Sequence, residues 1–366
     1  VLPVSDATGS PRASNQRSAR GAPLEIRSLT SLCFIAAFIV FTCHYTGRVP
    51  AAETFLSESG YIGVDIFFVL AAFVLTIRYQ PSVRDHSFSW RTYLVHRVAR
   101  IFPVYLFVLA LTALAGEPIT ILNVFLLHSL SPNHIWSGLH AAWTLSVECG
   151  FYLVLPLLLR IYIPRKKPVY HIAFVLSVCA GGMLIGALLY PSDFVFVMSR
   201  TVFGYMWDFA IGIALGRIFL QYGRCPPRTG LLLIIAGLLG IVGLQWLLYQ
   251  ALGAFTARLL LFPVALVAAV IIYGLTAETR VARFMSMPPL VYAGRISYVF
   301  YILHLAPYAI QFLPFGYIEY YAGVTLLSIA IYQGVEVPAQ KYLIRSFVTK
   351  RMLPTVATAS PALEVA

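Results

Sequence analysis

Four titratable side chains, His44, Asp65, Glu148 and His304, fall inside apolar stretches that offer them no water. A charged group at the centre of a bilayer costs about 3 kcal/mol or more unless it is paired or faces a cavity, so a set of them marks a site. Each lies toward the same end of its own apolar segment, which brings four groups from four segments to one depth. A histidine beside a carboxylate does general-base work: neutral imidazole takes a proton from an attacking hydroxyl, and the carboxylate orients the ring and steadies the imidazolium. Glu148 closes the run Trp143-Thr144-Leu145-Ser146-Val147-Glu148 and most needs a partner; His44 is the natural one. Each residue also has a plainer reading, His44 as a core histidine bonded to a backbone carbonyl and Asp65 as a hydrogen-bond partner for a neighbouring helix end. Asp208, beside Trp207, is placed near the middle of its segment. Arg97 and Arg100 belong to the opposite face, roughly 20–25 Å away by the 1.5 Å rise of a helix. Their rigid, permanently charged forks suit a phosphorylated donor, or else anchor the chain to anionic headgroups.

The elements that must position these groups are read from composition. Of 366 residues, 60% are hydrophobic and only 11% charged, and the mean hydropathy is +0.82. Soluble domains are about a quarter charged. The expected class is all-α, a polytopic membrane bundle. Crossing the roughly 30 Å hydrocarbon core takes about 20 helical residues, and spans are expected near 28–46, 61–79, 100–116, 143–161, 170–190, 197–219, 229–250, 257–275, 290–312 and 319–338. Residues 1–27 form a basic tail whose first part, rich in Ser, Ala, Pro and Arg, has the composition of disordered chain. The first apolar run is long for a signal-peptide core and is expected to be a retained span. The bundle is taken as 28–342 and a C-terminal tail as 343–366.

Lys and Arg accumulate on the cytoplasmic side of short loops. With both termini inside, the ten-span order leaves only Arg48, Arg200 and Arg258 of the 26 basic residues toward the outside. Between Arg100 and Arg160 there is no Lys or Arg, and Ile119–Leu130 is too short to cross. It is read as a re-entrant or interfacial helix on the outer side, since a crossing there would invert every later loop. The net charge of +12 therefore reports topology, not nucleic-acid binding. A multi-pass plasma-membrane protein in contact with membrane lipids is expected.

On these residues the chain resembles the family-three membrane acyltransferases. The resemblance runs from about Leu29 to Tyr342. It rests on Leu29-Thr30-Ser31-Leu32-Cys33 leading to His44, Gly63-Val64-Asp65-Ile66-Phe67-Phe68-Val69-Leu70, Arg97-Val98-Ala99-Arg100-Ile101-Phe102-Pro103-Val104-Tyr105, Trp143 to Glu148 with Phe151-Tyr152, and Gly294-Arg295-Ile296-Ser297-Tyr298 with Tyr301 and His304. It implies transfer of an acyl group, commonly acetyl from acetyl-CoA, to a hydroxyl of a sugar, polysaccharide, lipid or macrolide-type product. It further implies that His44 is the catalytic base, that Arg97 and Arg100 form the R-x-x-R element associated with the acyl-CoA donor, and that Glu148 occupies the S-x-E position. The chain departs from the family's pattern at Cys33, usually Arg or Lys, at Ala71-Ala72, usually Ser-Gly, and at Cys149-Gly150, usually a bulky or polar pair.

Ser146, Asp65, Asp208, Tyr298 and His304 remain as substrate-contacting or structural polar residues. Ser146 and Cys43 are the candidates for a covalent nucleophile, but neither is clearly positioned as one, so direct transfer is the simpler expectation. His128, His134 and His140 lack the spacing and the local carboxylate or Cys of a metal site, and no metal is expected. Trp136 and Trp143 fit an interfacial aromatic belt or the lining of an acceptor entry. Two alternatives stay open: a transporter or flippase for a glycolipid or small metabolite using the same chamber, which the lack of an internal repeat disfavours, and a catalytically impaired member of the family.

Overall fold

The computed structural model describes residues 25–46, 60–162, 167–251, 261–306, 309 and 316–348. Among them every regular element is helical. In chain order these are α1 (Arg27–Thr46), α2 (Tyr61–Arg84), α3 (Trp90–Leu114), α4 (Ile121–Val124), α5 (Trp143–Ile161), α6 (Pro168–Leu189), α7 (Phe194–Arg200), α8 (Met206–Tyr222), α9 (Pro227–Ala251), α10 (Leu261–Leu275), α11 (Arg280–Met285), α12 (Pro288–Leu303), α13 (Tyr317–Ile331) and α14 (Val337–Phe347). Seven helical stretches among the described residues are long and apolar enough to cross a membrane. The molecule is an all-α membrane bundle. The tail 1–24, the stretch 310–312 of the expected ninth span and residues 349–366 lie outside the described residues.

Three segments differ from the sequence reading, each for a local reason. The helix expected to begin at residue 100 begins at Trp90, because the Ser89 side chain accepts a hydrogen bond from the Thr92 amide and caps it there; Arg97 and Arg100 are thus carried mid-helix. The segment expected as one span over 197–219 is two helices. Asp193 caps α7 through the Phe196 amide at 3.0 Å, Thr201 is extended, and Gly204 lets the chain turn back so closely that a Cβ there would lie 2.4 Å from the Val197 carbonyl oxygen. Asp208 consequently sits in the first turn of α8, not mid-span. The last span is continuous with what was expected as tail: α13 passes through a π-helical turn, Tyr332–Glu336, into α14, which ends at Phe347. Between α3 and α5, the segment Ile119–Leu130 forms only the four-residue α4 and a 3-10 turn, His128–Leu130.

The helices that carry the candidate site are held by backbone-to-backbone approach. A Cβ on Gly294 would lie 1.9 Å from the Thr30 carbonyl oxygen, and one on Gly63 would lie 2.5 Å from that of Ala36. Two motif glycines, on α12 and α2, therefore clamp α1 from both sides. Ser28 and Ser31 fix the start of α1 by donating to the carbonyls of Leu275 (2.8 Å) and Met285. The departure at Ala72 is accommodated across the α2–α8 contact, where Gly212 supplies the missing space: its own Cβ would lie 2.6 Å from that of Ala72. On the periphery, α6 and α9 expose Leu176, Leu184, Leu188, Leu232 and Leu239, as a lipid-facing surface requires.

Candidate active site

Three cavities follow one another along α1. The first, of about 310 Å³, opens at the end of the bundle where α1 and α12 begin, and Glu25, Arg100, Arg295, Glu336 and Gln340 supply its polar lining. It shares Cys33, Leu70, Val74 and Arg100 with a second cavity of about 230 Å³, whose polar groups include Arg97, Arg100, Glu148, Tyr152 and Tyr298. Among the described residues, only Val64 and Tyr301 line both this chamber and a third, of about 210 Å³, which holds His44, Trp136, His140, Trp143 and Arg200. From Leu29 in the first to His44 in the third is fifteen residues of α1, about 22 Å by helix rise.

The inner groups form one charged network. Glu148 accepts a hydrogen bond from the Tyr152 hydroxyl and faces Arg97 and Arg100. Arg97 lies over the rings of Tyr79 and Tyr152, at 5.9 and 5.5 Å. Arg100 lies over Tyr298 at 5.3 Å and is ion-paired with Glu336, which is 1% exposed and also accepts from the Gln340 side chain at 3.0 Å. Tyr298 donates to the Ile101 carbonyl at 2.7 Å, tying α12 to α3. Glu336 was not among the residues singled out from sequence. The signal for it was present, since a carboxylate inside the last apolar segment needs a cation, and the π turn directly before α14 is what carries it there.

His44 has a different neighbour from the one expected. Its Nδ1 lies 2.9 Å from the Val40 carbonyl oxygen and 3.2 Å from Nε2 of His304, and the two rings are 5.1 Å apart. Nδ1 of His304 lies 2.5 Å from the Tyr301 carbonyl oxygen. A carbonyl can only accept, so hydrogen-bond logic puts the proton of each ring on Nδ1. His304 Nε2 is then an acceptor toward His44, and the basic lone pair of His44 is on Nε2. Glu148 belongs to the middle chamber with the arginines, and His44 lines the outer one, with His304 behind it. The Val40 carbonyl contact of the plainer reading is present too, and it selects the tautomer a base requires.

The remaining candidates separate cleanly. Ser146 donates to the Leu126 carbonyl at 2.5 Å and accepts from the amide and hydroxyl of Ser129, at 3.3 and 2.7 Å, so it pins the outer segment to α5. Asp65 and Asp208 are buried against one another where α2 meets α8, and neither lines the three cavities. Cys43 borders the outer cavity beside Gly60. Cys33 stands where the inner two cavities join, its thiol 3.6 Å from the Leu29 carbonyl. In the outer cavity the Arg200 guanidinium lies between Trp136 and Trp143, 4.8 and 4.7 Å from their ring centres.

A family model described as an acyltransferase domain matches residues 27–333. The chain is similar to the acyltransferase MdmB of Streptomyces mycarofaciens, 29% identical over 65% of this chain and 62% of that protein. It is similar also to the exopolysaccharide production protein ExoZ of Rhizobium meliloti, 30% identical over 67% of this chain and 75% of that one. A third relative is the O-acetyltransferase OatA of Staphylococcus aureus, 22% identical over 79% of this chain and 54% of its own length. The chain thus spans about three fifths of MdmB and about half of OatA. No solved structure matches it. With the match covering α1 to the π turn, and so every residue that lines the middle and outer chambers, the chain belongs to the acyltransferase-3 family.

Proposed function

We propose that this chain is a plasma-membrane O-acyltransferase, taking an acyl group, foremost acetyl, from acyl-CoA and placing it on a hydroxyl of a saccharide, polysaccharide precursor or macrolide-type product. The observation that carries the reading is the run of cavities: an arginine-lined one at one end, one holding His44 at the other, and Val64 and Tyr301 lining both the middle and the outer of them. The similarity to OatA, an O-acetyltransferase, and to ExoZ, an exopolysaccharide production protein, supports the acyl group and the acceptor class.

In this reading both termini are cytoplasmic and the donor's phosphates meet Arg100 and Arg97, displacing or joining Glu336. The thioester reaches the junction while the acceptor hydroxyl enters the outer cavity. His44 Nε2 removes the hydroxyl proton as the oxygen attacks the thioester carbon. The C–S bond then breaks, and the leaving thiolate regains the proton from the imidazolium. His304 takes the orienting part: its Nε2 lone pair faces the Nδ1 proton that gains positive character when His44 is protonated. Purified protein in lipid nanodiscs, given acetyl-CoA and either octyl glucoside or a glycosylated macrolide, tests this. His44→Ala is expected to lower transfer about 10²–10⁴-fold, the usual weight of a general base; equal rates remove His44 from catalysis. Movement of acceptor across the bilayer without any donor would favour transport.

A further inference from the structure

General-base attack supplies a nucleophile but leaves the negative charge that develops on the thioester oxygen without a donor, and such charge is where preorganised hydrogen bonds act most strongly. The group that should meet it must reach the donor and acceptor sides at once. Among the described residues lining the middle and outer chambers, Val64 and Tyr301 alone border both, and of these two only Tyr301 carries a side-chain donor. Its side chain is 7% exposed. The ring is fixed edge-on to Phe67 at 5.7 Å and lies 5.4 Å from the ring of His304. Its oxygen accepts from the Thr144 hydroxyl at 3.0 Å, a proton shared with the Ala141 carbonyl. A phenol has one proton and two lone pairs, so accepting from Thr144 leaves the O–H of Tyr301 for a second acceptor at the junction.

We propose that the Tyr301 hydroxyl, oriented by Thr144, donates to the acyl carbonyl oxygen and stabilises the tetrahedral oxyanion formed when the acceptor attacks. The proposal rests on the acyl-transfer reading. The phenol keeps its proton throughout: it shares a hydrogen bond with the oxyanion while His44 carries the proton taken from the hydroxyl, and the bond weakens again as the carbonyl reforms and the thiolate departs. Thr144 is a positioning residue that acts through the phenol.

The test uses the same nanodisc assay, with acetyl-CoA as donor and octyl glucoside or the macrolide as acceptor. Tyr301→Phe is expected to lower kcat by about 100-fold or more, the loss typical of removing one oxyanion donor, with KM for acetyl-CoA changed less than threefold. Thr144→Val should cost less. A packing role would give the same loss on Phe only through misfolding, so a second series replaces Tyr301 with mono- and difluorotyrosine, which preserve shape and raise phenol acidity. A donor role makes kcat vary systematically with that acidity. Full kcat in Tyr301→Phe, or a kcat indifferent to fluorination, overturns the assignment while wild-type turnover leaves the acyltransferase reading intact. A wild type that transfers nothing overturns both.

Discussion

The division of labour between Glu148 and His304 is the main result at the scale of single residues. A carboxylate was the expected brace for His44, yet the arginines claim it, and a second histidine stands at 3.2 Å from the imidazole instead. Glu336 answers Arg100 in the same way, from the π turn between α13 and α14. Removing one member of a buried ion pair leaves the other uncompensated, at a cost of about 3–5 kcal/mol. Arg100→Ala should therefore unfold several degrees earlier in detergent than the wild type, and Arg100→Ala with Glu336→Gln should recover most of that loss without recovering transfer. Equal midpoints for the single and double variants would show that Glu336 does not depend on Arg100. His44, Arg97 and Arg100 stand out as candidates from their types and spacing, and all three line the chambers. Which carboxylate faced which cation was not, because pairing depends on helix rotation, and the π turn that swings Glu336 inward has no periodic signature.

At the level of elements, the outer segment between α3 and α5 owes its place to few contacts. Ser146 and Ser129 fasten one point, Asn123 donates to the Ser137 carbonyl at 2.9 Å and Tyr105 to that of Asn123 at 2.6 Å. Between them His128 is wholly buried, outside the spanning helices, and burial pushes its imidazole down to about 4 from the usual 6.5. Between those two values the unfolded segment binds a proton that the folded one refuses, so stability is full above pH 6.5 and falls as the pH drops toward 4. Hydrogen exchange of residues 121–142 should accelerate across that window, and His128→Leu should flatten the dependence; an unchanged profile in the variant would assign the effect elsewhere. The apolar runs located most of the helices, since length and hydropathy report directly on the bilayer. They missed the break between α7 and α8, where turn chemistry at Thr201 and Gly204 interrupts a mainly apolar stretch.

For the molecule as a whole, the positive-inside asymmetry and the ordered polar residues already implied a donor face and an acceptor face. The chambers between them could not be read from sequence, because each is bounded by residues from four or more helices and exists only once α1 is clamped by Gly63 and Gly294. The same arrangement has a consequence for the membrane it sits in. The three cavities follow about 22 Å of α1, and Val64 and Tyr301 are the described residues common to the middle and outer ones. Cutting both side chains back should join the two compartments: Val64→Gly with Tyr301→Ala should make proteoliposomes leak protons and small cations, read as collapse of an imposed potential, whereas vesicles holding the wild type should stay sealed. Vesicles that remain tight with both side chains cut back would mean that other residues insulate the two compartments. On the proposed reading, an enzyme that lets two reactants touch from opposite sides would also have to act as an electrical seal.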